Sequence, residues 1–178
     1  MKTDNSHFEA KIKLRIDHLP QKKDIIVLDC YAGTGRIWNW IKKECPGKNI
    51  KVLAIEKEQG KNKLALVGDN LKYLSTIDLS KFDIIDLDAY GIPFDQIEIL
   101  YTRGYHGIVF VTAIQSMMGA LPKKMLLRLG YTEKMIEKIP SIFNKNGIGK
   151  LKNILYLYGC QYISGYFIDR KNYFMFNL

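Results

Sequence analysis

Residues 25–35, Ile25-Ile26-Val27-Leu28-Asp29-Cys30-Tyr31-Ala32-Gly33-Thr34-Gly35, decide how this chain reads. Four apolar residues run into a carboxylate and a turn with two glycines. An apolar-periodic segment with Ile37, Trp38, Trp40 and Ile41 follows. The pattern predicts a buried strand, a glycine-rich turn and a helix N-terminus. The glycines permit positive φ and close approach of a ligand to the backbone. The amides freed at the helix start bind polar or anionic groups. Taken alone, the pattern is weak, because such a turn also occurs in a purely structural role.

Upstream, Ser6 and Glu9 fit a capping box that opens a helix running to about His18, with Pro20 ending it. Lys11 and Arg15 share a face of that helix, which reads as a solvated surface more readily than as a phosphate contact. Downstream, residues 36–44 form the next helix and Lys51–Ile55 a second strand ending at Glu56. Residues 57–63 read as a short polar helix. Leu64–Val67 is a third strand closing on Gly68-Asp69-Asn70, and Phe82–Leu87 a fourth delivering Asp88. A helix over 94–103 and a fifth strand, Gly107–Thr112, follow. Alternating strands and helices predict an α/β fold, a doubly wound and mostly parallel sheet. Residues 122–159 read as basic helices, broken at Gly130 and near Pro140. The segments 162–168 and 173–176, either side of Asp169-Arg170-Lys171-Asn172, predict a C-terminal antiparallel hairpin.

The chain of 178 residues is most simply one domain, 1–178, with an N-terminal helix in 1–20. No apolar run reaches the roughly 18–20 residues that span a bilayer, and the first residues lack a signal-peptide core. Cys30, Cys45 and Cys160 are odd in number and in no ligand pattern, which points to a reduced, cytoplasmic protein. His7, His18 and His106 show no metal spacing, so no metal is expected. The net charge of +9 is lopsided. Residues 1–98 hold 16 Lys/Arg against 15 Asp/Glu, whereas residues 99–178 hold 11 against 3. A one-sided basic field suits a phosphate backbone, so nucleic acid is the expected partner, with no membrane.

Three acidic or polar clusters fall at the carboxyl ends of successive predicted strands, which in a doubly wound sheet face one ligand crevice. The glycine turn lies at the first. Glu56, about 20 residues on, is spaced to bind two ribose hydroxyls. Asp69 is placed to accept from an adenine amino group, with the Asn70 amide beside it. Dinucleotides and S-adenosylmethionine both fit so far. However, Trp38 stands where the third glycine of a dinucleotide loop would be, and it disfavours close helix–strand packing. Asp29 suits an ammonium better than a pyrophosphate.

These residues resemble the class I S-adenosylmethionine-dependent methyltransferases over nearly the whole chain. The resemblance rests on Asp29 to Gly35, Glu56, Gly68-Asp69-Asn70, the Asp88 segment and the closing hairpin. It implies a Rossmann-like sheet of seven strands with the last antiparallel. It also implies cofactor contacts from Asp29, Tyr31, Ala32, Gly33, Thr34, Gly35, Glu56, Asp69 and Asn70. Asp86-Leu87-Asp88-Ala89-Tyr90-Gly91-Ile92-Pro93 is similar to the Asp-x-Asp-Pro-Phe-Gly-Ser-Pro motif of the tRNA guanine-N2 dimethyltransferases, as is the run from Val111 to Tyr131. Ala89 replaces that motif's proline, and the chain lacks the length for that family's extra C-terminal domain. The implied chemistry is methylation of a nucleobase exocyclic amine in RNA or DNA. Asp88 and the carbonyl of residue 89 would accept the amine hydrogens, and Tyr90 would stack on the base. Enzymes this compact often use a second copy or a separate recognition subunit. A cysteine nucleophile for carbon-5 chemistry has no suitable context here, and Trp38 and Trp40 read as core. A small-molecule or protein methyltransferase and a catalytically silent binding module are the alternatives.

Overall fold

The computed structural model describes residues 7–114, 121–168 and 171–178. The chain alternates as expected: α1 (Phe8–Asp17), β1 (Asp24–Asp29), α2 (Arg36–Glu44), β2 (Asn49–Glu56), β3 (Leu66–Val67), α3 (Asn70–Thr76), β4 (Ile84–Asp88), α4 (Phe94–Thr102) and β5 (Ile108–Ile114). Three helices follow, α5 (Lys123–Arg128), α6 (Glu133–Lys138) and α7 (Phe143–Leu157), then the strands β6 (Ile163–Ile168) and β7 (Lys171–Asn177). The seven strands order as β3-β2-β1-β4-β5-β7-β6. Every neighbour up to β5 is parallel, while β7 runs antiparallel between β5 and β6. The sheet and its closing hairpin are those the sequence implies.

Strand alternation divides the core into two layers. Ile25, Val27, Ile84, Phe110, Tyr173 and Met175 face α1 and α2, where they meet Ile12, Leu14, Trp38 and Ile41. Leu28, Ile85, Leu87, Val109, Val111 and Phe174 face the other helices, including Leu74, Ile97, Leu126 and Leu151. The same alternation puts Asp29, Asp86 and Asp88 on the α1 side, at the carboxyl edge.

Several local expectations change. Residues 57–63 form bends and turns rather than a helix, and β3 shortens to two residues. Ser6 of the expected capping box lies outside the described residues; α1 begins after His7, which adopts φ 56° and gives no side-chain cap. Lys171 and Asn172 belong to β7, so only 169–170, outside the described residues, separate the hairpin strands. Trp38 is buried, but Trp40 is 45% exposed and lies edge-on to Phe8.

The largest correction concerns Lys11 and Arg15, which are buried rather than solvated. Arg15 places Nε 2.7 Å and Nη2 2.6 Å from the two oxygens of Asp86. Its Nη1 donates to the Lys11 carbonyl, and Trp38 Nε1 donates to Asp86 Oδ2 at 2.8 Å. The guanidinium also lies 5.4 Å from the Phe110 ring. α1 is thereby fixed to β4 through charge rather than through an apolar stripe alone. Leaving one member of such a buried pair uncompensated is strongly destabilising. Arg15→Met should therefore lower the unfolding free energy by about 3–5 kcal/mol, and Arg15→Met with Asp86→Leu should regain much of that loss. Urea denaturation of the three proteins checks both outcomes.

Candidate active site

The turn after β1 is built on two left-handed glycines, Gly33 (φ 52°) and Gly35 (φ 74°), the second of which caps α2. Any Cβ at these angles would be strained, so the loop depends on glycine here. Gly35 N donates to Ala32 O at 2.7 Å, and Ala32 N donates to Ile55 O at 3.1 Å, which ties the turn to β2. Glu56 reinforces the tie: its Oε2 accepts from Gly33 N at 2.7 Å, and its Oε1 from Lys57 N and Glu58 N.

Beside the turn, one small cavity of about 40 Å³ is lined by Asp29, Tyr31, Ala32, Gly33, Thr34 and Asp88, together with Phe8, Lys11, Arg36 and Ile37. That volume holds about three waters. Two residues far apart in sequence, Asp29 and Asp88, therefore share one pocket with the turn. Glu56, Asp69, Asn70, Gly35 and Tyr90 lie outside its lining. Asp69 is exposed and accepts from Leu71 N at 3.0 Å as the N-cap of α3. Asn70 Nδ2 donates to Cys30 O, and its Oδ1 accepts from Gln96 Nε2, bridging β1 to α4. Burial holds the Tyr31 phenol up at about 12, so it stays a donor. Tyr90 is not a core aromatic: it is 74% exposed, next to Gly91 at φ 131°. Gly91 O accepts from Ile114 N at 2.9 Å, which holds this loop against the end of β5.

Lys11, buried like Arg15 rather than solvated, enters this site. Its Nζ lies 2.8 and 2.9 Å from the two oxygens of Asp88, with both side chains largely buried. The carboxylates two apart on β4, Asp86 and Asp88, point to one face, as Asp29 does from β1. That clustering is the signal that demanded buried cations, and Lys11 and Arg15, one helical turn apart, supply them.

The count leaves one charge over. Asp29, Asp86 and Asp88 face Lys11 and Arg15, and among the described residues Asp29 has no ion pair. Burial, then the Asp86 carboxylate, raises the Asp29 carboxyl well above the ordinary range, against the hydrogen bond it accepts from Tyr31 N at 3.2 Å. Cys30 is buried and its thiol is likewise pushed up, so it is a poor nucleophile. No cluster of metal-ligating side chains occurs among the described residues, and no helix there is long and apolar enough to cross a membrane.

No protein-family model matches the sequence, and no curated protein matches it. Solved structures do share its shape. A precorrin-6y C5,15-methyltransferase from Geobacter metallireducens superposes with a TM-score of 0.54 at 11% identity, over 94% of this chain and 86% of its own. A phosphoethanolamine N-methyltransferase 2 from Haemonchus contortus, solved with S-adenosylhomocysteine, gives 0.53 at 15% identity, over 89% of this chain and 38% of its own. The fold is that of the class I S-adenosylmethionine-dependent methyltransferases. At such identities the likeness shows the fold alone.

The unpaired Asp29 yields a stability prediction. A raised folded carboxyl means that the native state binds the proton more tightly than the unfolded chain. Stability from this group is full below the ordinary unfolded value, about 4, and is lost as pH climbs toward the higher folded value. Asp29→Asn should therefore be more stable than wild type at pH 8, with the difference closing near pH 4. Denaturant midpoints across that range measure it.

Proposed function

We propose that this protein is an S-adenosylmethionine-dependent methyltransferase acting on an exocyclic amine of a nucleobase in RNA or DNA. One observation carries the cofactor reading: a buried carboxylate without a cation, Asp29, shares its pocket with the glycine turn and with Lys11 and Arg36. A group bearing both an ammonium and a carboxylate matches that set, the ammonium toward Asp29 and the carboxylate toward the cations. Arg36 is exposed and stacks on Phe8 at 4.4 Å, within reach of the pocket mouth. Glu56 sits one strand over for the ribose hydroxyls, where one of its lone pairs is left after three backbone bonds. Asp69, at the tip of β3, remains the candidate for the adenine edge, with Asn70 holding the loop beneath.

The cofactor supplies a methyl group on a sulfonium, an electrophile with a neutral leaving group. The chain's own part is orientation. An exocyclic amine delocalises its lone pair into the ring, and hydrogen bonds from both of its hydrogens redirect that pair. Asp88 offers the lone pairs that Lys11 leaves open, and the carbonyl of Ala89 offers a second acceptor. Tyr90, exposed two residues after Asp88, suits stacking on a flipped or single-stranded base. The excess of basic residues beyond residue 98 supports a polyanionic substrate, although part of it is spent internally. Arg128 pairs with Asp95 and Glu98, and Lys123 lies near Glu133. Exposed Lys124, Lys134, Lys138 and Lys145 remain for phosphates.

The experiment is incubation with methyl-labelled S-adenosylmethionine and total RNA, total DNA, or a small-molecule and protein extract, followed by nucleoside analysis. Label in an amine-methylated nucleoside is expected, falling at least about a hundredfold in Asp88→Ala. Equal incorporation by the variant would remove Asp88 from the mechanism. Label confined to the extract would favour a small-molecule or protein substrate, and cofactor binding without transfer anywhere would favour a silent module. For the ribose contact, Glu56→Ala should weaken cofactor binding about tenfold by calorimetry, the loss expected for a charged hydrogen bond.

A further inference from the structure

A second cleft, of about 200 Å³, opens at the carboxyl edge where α7 meets the hairpin. Its walls include Phe167 of β6, Asn172 of β7 and the α7 residues Asn144, Lys145 and Asn146. An apolar cavity of about 150 Å³ accommodates benzene, so this space suits one aromatic ring system of nucleobase size. Phe167 is 69% exposed, an unusual setting for a phenylalanine ring on a strand.

The cleft is shaped by the chain and is not a chance dent. α7 breaks at Asn146, whose backbone (φ −154°, ψ 23°) leaves the helical region. Two glycines make the break fit. A Cβ on Gly147 would come within 2.1 Å of the Phe143 ring, and one on Gly149 within 2.1 Å of Asn146 Oδ1. The Phe143 ring therefore closes the floor against bare backbone, and the Asn146 amide is tucked beside the kink.

Register fixes where this cleft stands relative to the candidate site. Asp88 pairs with Thr112, Thr112 with Tyr173, and Tyr173 with Tyr166. The next row outward is Ala113, Asn172 and Phe167. Asn172 thus lies two strands from β4, about 10 Å across the sheet, and one row nearer the open edge than Asp88. A strand of nucleic acid that presents a base at Asp88 and then crosses the carboxyl edge of the sheet would bring a flanking nucleotide to this cleft on the other face.

We infer that the cleft is a binding subsite for a flanking nucleobase of a single-stranded polynucleotide. Phe167 provides the stacking face, the amides of Asn144, Asn146 and Asn172 provide donors and acceptors for the base edge, and Lys145 meets the adjoining phosphate. The inference rests on the nucleic-acid reading of the candidate active site and adds to it a recognition element on the opposite face of the sheet.

Fluorescence anisotropy with a labelled single-stranded 12-nucleotide RNA, at several salt concentrations, tests it. Phe167→Ala should weaken binding about tenfold with an unchanged salt slope, and Phe167→Trp should restore it. Lys145→Ala should reduce the slope by about 0.7, the share of one phosphate contact on a single strand. Lys43→Ala, on exposed α2 surface, serves as the neutral control. If wild type binds and methylates nucleic acid while Phe167→Ala behaves identically, the subsite falls and the reading of the active site stands. If wild type binds no single strand even at low salt, both fall. A circular-dichroism spectrum matching wild type shows that the exposed Phe167 substitution leaves the fold intact.

Discussion

A buried ion pair between Arg15 and Asp86 is the constraint on which the rest of the structure depends. Its two short hydrogen bonds, joined by Trp38 Nε1, fasten the first helix of the chain to the central strand of the sheet. Burying charge on both sides is expensive unless the geometry is complete, and here it is: both carboxylate oxygens and all three guanidinium nitrogens have partners. With α1 held there, Lys11 one turn earlier reaches Asp88 and Phe8 reaches the pocket mouth. The position of the candidate site therefore follows from a contact about 70 residues long in sequence.

The same layer explains why the site carries unspent charge. The sheet delivers three carboxyl groups to one face, and α1 returns two cations. Asp29 is left in a low-dielectric setting where its ionised form is disfavoured until a cation arrives. A displaced ionisation in a cleft with named charges beside it makes such a group a functional-site candidate. The bond from Gly33 N to the Glu56 carboxylate further joins the turn to β2.

On the far side of β5 the architecture changes character. β7 reverses direction, β6 forms the sheet edge, and the kinked α7 packs over them. An α/β sheet gains an open edge there, and exposed Tyr162, Tyr166 and Phe167 line it. Aromatic exposure beside Lys145 differs from the pocket with Asp29 and Asp88 two strands away. The molecule thus presents two chemically distinct regions, one holding buried carboxylates beside the glycine turn and one with exposed aromatic rings.

The alternation of strands and helices, apart from residues 57–63, the glycine turn and the closing hairpin are legible in the residues alone. Apolar periodicity, φ-permissive glycines and turn residues act over a few positions, so they are legible without a fold. The sequence also marked Asp29, Glu56, Asp69 and Asp88 as strand-end groups. Only the tertiary structure decided which of them meet. Asp29 and Asp88 share a pocket because β1 and β4 are neighbours, whereas Asp69 caps a helix and Glu56 bonds backbone. Nothing local distinguishes Lys11 and Arg15 from a solvated helical face, since an i, i+4 basic pair looks the same in both settings. Their burial is fixed by carboxylates more than 70 residues away, and pairing across that distance exists only once the sheet has formed. Trp40 fails for the mirror reason: its helical spacing matched the core, but the neighbouring face of α2 took the sheet and left it at the surface.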